Sequence, residues 1–338
     1  MKVAEFAYEL PPEAVAQQPA EPRDAARLLD TRDLSDHRFR DLPDLLEPGD
    51  LVVVNQTRVR KGRLRGRKVP TGGAVEVLLL GRRGREVWEA LIRPARRIRA
   101  GMRLDLGRIQ GSVVTPPADG RVLLHLEADD DIEGILEREG DLPLPPYIHG
   151  WEGDPERYQT VFATSPGSAA APTAGLHFTP RVLSDLQRRG IGLARVDLEV
   201  GLATFRPMTA DDIEDHVIHP ERFLVPEETA TAIEETSAAG GRVVAIGTTV
   251  VRTLETMAAA PGVVLPGRGE TRLYLRPGFD FRIVDILVTN FHLPRSSLLV
   301  LLAGFMGDGW RKAYHVALER GYRFLSFGDA MLCVRGDR

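Results

Sequence analysis

The chain has 338 residues, of which 43% are hydrophobic and 27% charged, and its formal net charge is −4. That length supports a large core and two domains, while so small a net charge names no class of partner. The single cysteine, Cys333, excludes a disulfide framework within the chain and any zinc site built from several cysteines.

The opening stretch, MKVAEFAYELPPEAVAQQPAEPRD, carries acids and prolines early and has no apolar core of a signal peptide. The longest apolar run, Leu298–Met306, is too short to cross a bilayer. The expectation is a soluble, cytoplasmic protein with no membrane contact. A first strand, DLVVVNQT, is entered through the turn Pro48-Gly49-Asp50. From about 58 the helical period disappears. The runs GAVEVLLLG, EVWEALIR, MRLDLG, GSVVTP and GRVLLHLEA follow, separated by Gly-rich and Arg-rich turns and spaced like a small antiparallel barrel or sandwich. An acidic stretch, EADDDIEGILEREGD, and the proline-rich LPLPPYI close this region. We therefore expect a β domain over 58–146, inserted into a discontinuous domain of 1–57 and 147–338.

Beyond 147 helical and strand patterns alternate. DPERYQTVFA reads as a helix. The small-residue loop GSAAAPTAGLHF, residues 167–178, leads to a helix capped by Thr179, with Pro180 in its first turn and Gly190 closing it. The strand IGLARVDLEV, the helix PEETATAIEETSAAGG and the strand RVVAIG come next, the last turning directly into the helix TTVVRTLETMAAA. FRIVDILVTNFHLP, a helix from Ser296, a helix around GWRKAYHVALERG and a final strand DAMLCVR complete the pattern. Such alternation indicates an α/β domain with a largely buried sheet.

Four features carry chemistry, each beside a plain structural alternative. Arg58–Lys68, RVRKGRLRGRK, holds seven basic residues and no acid: Arg58, Arg60, Lys61, Arg63, Arg65, Arg67 and Lys68. Extended to Arg103 the region has fifteen Lys or Arg against three Glu, a surface for a polyanion such as RNA. The alternative is a solvated face balanced by the acids at 127–141. VVAIGTTVVRTLET is a strand, a glycine turn and a helix capped by Thr248 or Thr249, with Arg252 on its first turn inviting an anion. It lacks the three-glycine and P-loop signatures, and a capped turn explains it equally well. His216 and His219 share a face if Asp211–Pro220 is a helix, with Glu221 following, and they offer general acid–base chemistry or simply a polar helix end. No third ligand of matching spacing supports a metal. Finally, Asn290 and His292 run off a buried strand, where α/β ligand sites lie, and His177 stands at a helix mouth behind a loop without bulk.

Together APTAGLHF, TTVVRTLET, TNFHLPRSSLL, NQTRV, LPPYI with ERYQTVFA, TFRP, HVIHPERF and GYRFLSFGDAML span essentially the whole chain. This set resembles the S-adenosylmethionine:tRNA ribosyltransferase-isomerase family of queuosine biosynthesis. The chain departs from the family pattern at Gln56, Val250 and Ile218, where aspartate, serine and methionine are usual. The resemblance implies an α/β fold whose mixed sheet curls toward a barrel, with a small antiparallel β-barrel domain inserted. It implies transfer and isomerisation of the ribosyl part of S-adenosylmethionine onto a 7-aminomethyl-7-deazaguanine base at the wobble position of a tRNA with a GUN anticodon. The product would be epoxyqueuosine, with adenine and methionine released, and neither a metal nor an obligate protein partner is expected. On this reading His177, His216, His219 and Glu221 are candidates for proton transfer. Thr173, Gly175, Thr248, Thr249, Arg252, Asn290 and His292 are candidates for substrate binding, and the seven basic residues of 58–68 for RNA. A non-catalytic RNA-binding protein and an S-adenosylmethionine methyltransferase are the rivals. The missing glycine-rich loop after a first strand counts against the latter.

Overall fold

The computed structural model describes residues 1–118, 120–201 and 207–336. The TFRP motif therefore lies, except for Pro207, outside the described residues. The chain separates into two compact units, one of Arg58–Leu144 with Pro166–Ala170, the other of Met1–Thr57, Pro145–Ser165 and the chain from Ala171 onward.

In chain order, β1 (Arg27–Asp30), β2 (Ser35–Arg38), α1 (Leu42–Leu45) and β3 (Leu51–Asn55) come first, followed by the short β4 (Thr57–Val59). Next are β5 (Arg63–Val69), β6 (Ala74–Arg82), β7 (Val87–Arg93), β8 (Arg103–Leu106), β9 (Ile109–Val113), β10 (Arg121–Ala128) and α2 (Ile132–Glu139). After β11 (Ser165–Ser168) the chain forms α3 (Pro180–Arg188), β12 (Gly192–Leu198), β13 (Glu221–Val225), α4 (Glu227–Ala238), β14 (Val243–Ile246) and α5 (Thr248–Thr256). The hairpin β15 (Ala258–Ala260) and β16 (Val263–Val264), then β17 (Gly267–Thr271), β18 (Ile286–Asn290), α6 (Ser297–Met306), α7 (Gly309–Glu319) and β19 (Ala330–Val334) complete it.

The larger unit is built on a nine-stranded mixed sheet of order β17-β13-β12-β3-β14-β18-β19-β1-β2. Its centre, β12, β3, β14 and β18, is parallel. Every residue of β3, β14 and β18 is buried, as expected of parallel strands covered on both faces. Alternate residues divide between those faces. Val52, Val54, Val244, Ile246, Ile286 and Val288 pack with Phe39, Phe162, Phe178, Val182 and Leu186 in one apolar cluster. Helix α3 has the ends its sequence announces: Thr179 accepts a hydrogen bond from the Val182 N–H, Pro180 occupies the first turn and Gly190 has φ +72°.

Two segments differ from expectation. DPERYQTVFA forms only a 3-10 turn over Pro155–Tyr158; Tyr158, Gln159 and Thr160 are consecutively buried, which one face of a surface helix does not permit. The segment Asp211–Pro220 is likewise no helix. A 3-10 turn over Ile213–Asp215 ends at His216, whose backbone is extended, and the chain runs into β13 between β12 and β17. His216 and His219 are therefore not held on a helical face.

The smaller unit is a closed antiparallel barrel of order β10-β7-β6-β5-β8-β9. Val77, Leu79, Trp88, Ala90, Leu104, Leu124 and Leu126 fill it, with Ile132, Ile135 and Leu136 of α2 packed into the same cluster. The basic stretch runs from β4 into the barrel strand β5, in which Leu64 is buried and Arg65 and Arg67 are exposed. Gly66 is required there: a Cβ would stand 2.1 Å from the Asp105 carbonyl of β8. The α/β fold with a mixed sheet and an antiparallel barrel is thus present, the larger sheet ending at β17 and β2.

Candidate functional site

A cavity opens at the carboxyl ends of β14 and β18, the edge of a parallel sheet where ligands bind. Its walls come from four stretches distant in sequence. They are the small loop at Ala171–Thr173, the turn Gly247–Thr249, the run Thr289–Leu293, and Leu325 with Ser326; Tyr147, Val200, Ser296 and Leu298 complete the lining. The turn works differently from the sequence reading. Gly247, not a threonine, caps α5, with φ +89° and no side-chain cap; Thr248 and Thr249 are the first helical residues. The left-handed glycine lets β14 enter the helix directly, and its N–H donates to the Val288 carbonyl at 2.8 Å. Helix α5 thus presents its first N–H groups at the cavity wall.

The polar side chains of the wall are tied down. The Thr173 hydroxyl donates to Asn290 Oδ1 at 2.8 Å, and Asn290 Nδ2 reaches the Asp329 carbonyl at 3.4 Å. Tyr147 Oη and Ser326 Oγ are 2.7 Å apart. His292 has its ring beside Thr289 Oγ1 at 3.2 Å. Its main chain is gripped from both sides: the N–H donates to Tyr314 Oη at 2.8 Å, and the carbonyl accepts from the Tyr8 hydroxyl. Burial pushes the His292 ring down to about 3, so it is a neutral hydrogen-bonding group. Leu325 lies in the left-handed region at φ +69°, a conformation costing a leucine about 1–3 kcal/mol. Its N–H is held by the Phe291 carbonyl at 3.1 Å. Gly175 stands behind the loop, where a Cβ would lie 2.9 Å from the Phe162 ring.

The other predicted titratable residues lie outside the lining. His177 does not project into the cavity and is 5% exposed. Nε2 lies 2.9 Å from the Gly328 carbonyl and Nδ1 3.1 Å from that of Ala174, while the ring stacks on Phe39 at 4.9 Å. Burial lowers its pKa, opposed by the two carbonyls that favour the charged ring, and the ring joins the Thr173–His177 turn to the loop before β19. The expectation of a titratable group at the helix mouth is corrected accordingly: this histidine positions the loop. Glu221 and Arg252 form a buried ion pair. Glu221 also accepts from the Gly201 N–H at 2.8 Å, and Arg252 Nε donates to the Leu273 carbonyl at 3.2 Å. Arg252 therefore already has an anionic partner within the chain, although its Nη2 is buried without one among the described residues. His216 is half-buried, edge-on to Tyr274 at 5.7 Å; burial, then the nearby His219, lowers its pKa.

A family model described as "Queuosine biosynthesis protein" matches residues 3–333. The chain belongs to this family. Among its relatives is an S-adenosylmethionine:tRNA ribosyltransferase-isomerase of Moorella thermoacetica, 51% identical over 99% of this chain and all of that one. One from Rubrobacter xylanophilus is also 51% identical, over the whole of this chain and 99% of its own. The crystal structure of an S-adenosylmethionine tRNA ribosyltransferase from Thermotoga maritima is similar over 97% of this chain and 99% of that one, at 36% identity and a TM-score of 0.53.

As a member of the queuosine biosynthesis family the chain is an enzyme of the ribosyltransferase-isomerase class, and residues of LPPYI, APTAGLHF, TTVVRTLET, TNFHLPRSSLL and GYRFLSFGDAML meet at one cavity. Thr173, Thr248, Thr249, Asn290 and His292 line it together. Tyr147 and Ser326 lie inside the motifs LPPYI and GYRFLSFGDAML, but nothing local in the sequence marks their side chains as cavity lining. Among the described residues no cluster of His, Cys, Asp and Glu is arranged to hold a metal, and no helix is long and apolar enough to cross a membrane.

Three side chains of the basic stretch are engaged by the acidic stretch. Arg60 makes a bidentate pair with Glu133, both contacts at 3.0 Å, and lies over Trp88. Lys61 pairs with Glu137 at 3.1 Å and Arg65 with Asp141 at 3.5 Å. Arg63 reaches the Leu144 carbonyl at 3.4 Å, and Arg67 that of Gly72 at 3.4 Å. Lys68 is half-buried. Charge balance by the acids thus accounts for Arg60, Lys61 and Arg65.

Proposed function

We propose that this chain transfers the ribosyl part of S-adenosylmethionine to the aminomethyl group of a 7-aminomethyl-7-deazaguanine base at the wobble position of a GUN-anticodon tRNA. It then isomerises that group to the epoxy-cyclopentanediol of epoxyqueuosine, releasing adenine and methionine. The observation that carries the reading is the meeting of the loop Ala171–Thr173, the turn Gly247–Thr249 and the run Thr289–Leu293 around one cavity. Small side chains and the first N–H groups of α5 let a ribose or a carboxylate approach the backbone, while Asn290 and neutral His292 offer hydrogen bonds to a base edge.

The sulfonium acidifies the ribose C5′ protons, so a base must take one of them. The attacking amine must be neutral, and departing adenine needs a proton or a hydrogen bond. We assign the hydrogen bond to adenine to the Asn290–His292 wall, and keep His216 and His219, outside the lining, as the candidates for proton transfer. No metal is invoked, the cosubstrate is consumed, and the reaction is placed in the cytoplasm. Incubation with S-adenosylmethionine and tRNA bearing the precursor base tests the reading. Released adenine with modified tRNA supports it; S-adenosylhomocysteine would identify a methyltransferase, and no consumption at all a binding protein.

A further inference from the structure

The charges of the barrel are sorted by end. The carboxyl ends of β5 and β7 and the amino ends of β6 and β8 meet at one rim: Val69 pairs with Arg103, Arg67 with Ala74, and Glu76 with Arg93. The β7–β8 connection crosses this rim and carries Arg96, Arg97 and Arg99. All six arginines, Arg67, Arg93, Arg96, Arg97, Arg99 and Arg103, are exposed, and among the described residues none is paired with a carboxylate. The two acids nearest in the strand register are Glu76 and Asp105. Asp105 is occupied in its own turn, accepting from the Gly107 N–H at 3.1 Å. At the opposite rim Arg83 is paired with Glu89, and Arg108 with Asp130 and Glu139, while Arg85 is exposed there.

The connection that presents these arginines is fixed. Ile98 is buried in the barrel core, and hydrogen bonds Ile98 N–H to Ala95, Gly101 N–H to Val113 and Met102 N–H to Arg99 hold it at 3.2, 2.7 and 3.1 Å. A rigid loop with splayed guanidinium groups loses little order on meeting a polyanion, and guanidinium groups take phosphate bidentately.

We infer that this rim, and not the ion-paired stretch at 60–65, binds the phosphate backbone of the RNA. The inference rests on the proposed function and locates its partner on one end of the barrel. The test compares binding of a transcribed GUN-anticodon tRNA by the full-length protein, by R93Q/R96Q/R99Q/R103Q and by K61Q/R65Q, across 50–200 mM salt. Every arginine withdrawn from a phosphate lowers the slope of log affinity against log salt by about 0.7–0.9. The rim variant is expected to lose about 3 units of slope and roughly 100-fold in affinity at low salt. K61Q/R65Q stays within about threefold, because each side chain already has a carboxylate within 3.5 Å. Unchanged thermal unfolding of the rim variant shows that it is folded, its arginines having no carboxylate partners to lose among the described residues. A rim variant that binds with wild-type affinity and slope, or a larger loss in K61Q/R65Q, overturns the inference alone. Wild-type protein that binds no tRNA overturns the proposed function as well.

Discussion

Glu221→Gln is the most informative single change in the larger unit. The Glu221 and Arg252 side chains are 6% and 10% exposed, so water screens their attraction poorly. At an effective dielectric of about 20, two charges about 3.5 Å apart interact by about 5 kcal/mol. Glutamine keeps an oxygen for the Gly201 N–H but removes the charge. Arg252 then remains buried with the Leu273 carbonyl, and Nη2 still unpartnered among the described residues. Breaking such a pair from one side costs about 3–5 kcal/mol. For a domain of this size that lowers Tm by about 6–15 °C. Replacing both partners, as in E221Q/R252M, removes the stranded charge, and more than half of the loss should be recovered. The assay is thermal or urea unfolding of the three proteins, with the double-mutant coupling calculated. A Tm for E221Q within about 2 °C of wild type, or a double variant no more stable than the single one, would refute the reasoning.

Three further outcomes follow from the cavity. Folded His292 resists protonation down to about pH 3, while the unfolded ring takes a proton near 6.5. Below 6.5 the unfolded state therefore binds the extra proton, and this group removes about 1.4 kcal/mol of stability per pH unit as pH falls. Urea unfolding at pH 7 and pH 5 should show H292N lacking that slope. Thr173→Val removes the hydrogen bond to Asn290 and should cost about 1 kcal/mol in stability. If the proposed adenine contact holds, kcat/KM for adenine release falls by more than the stability loss accounts for. Gly175→Ala places a Cβ 2.9 Å from Phe162 Cζ and 3.0 Å from Thr160 Cγ2, and overpacking there should cost about 1–3 kcal/mol by thermal unfolding.

The features legible in the sequence are those that short-range chemistry decides. Thr179, Pro180 and Gly190 mark both ends of α3 because capping involves neighbours three residues apart. The runs of the barrel announce themselves by alternation; the exception is β5, whose Arg-Leu-Arg-Gly-Arg pattern is masked by its charge. What the sequence does not disclose depends on distant partners. His177 is turned from the cavity by a carbonyl at Gly328, 151 residues away. Arg252 is claimed by Glu221, and Lys61 by Glu137 across the barrel unit. Even the cap of α5 escapes a local reading, because a left-handed glycine replaces the side-chain cap that two threonines advertise. Tyr147 and Ser326, whose oxygens lie 2.7 Å apart, are separated by 179 positions, and no local pattern pairs them.

Strand β19 has a consequence for how the chain is made. It lies between β18 and β1, so β1 and β2 reach the rest of the sheet only through it. The strands written first thus wait for those written last. A ribosome-bound chain can pair the barrel strands within the continuous stretch Arg63–Ala128, but Leu28 and Leu29 have no sheet partner on that side until Ala330 and Met331 emerge. Until then two apolar residues of a buried strand are exposed, a condition in which nascent chains depend on chaperones. Premature stops even a few codons before β19 should therefore yield protein that is captured or degraded, whatever the state of the cavity.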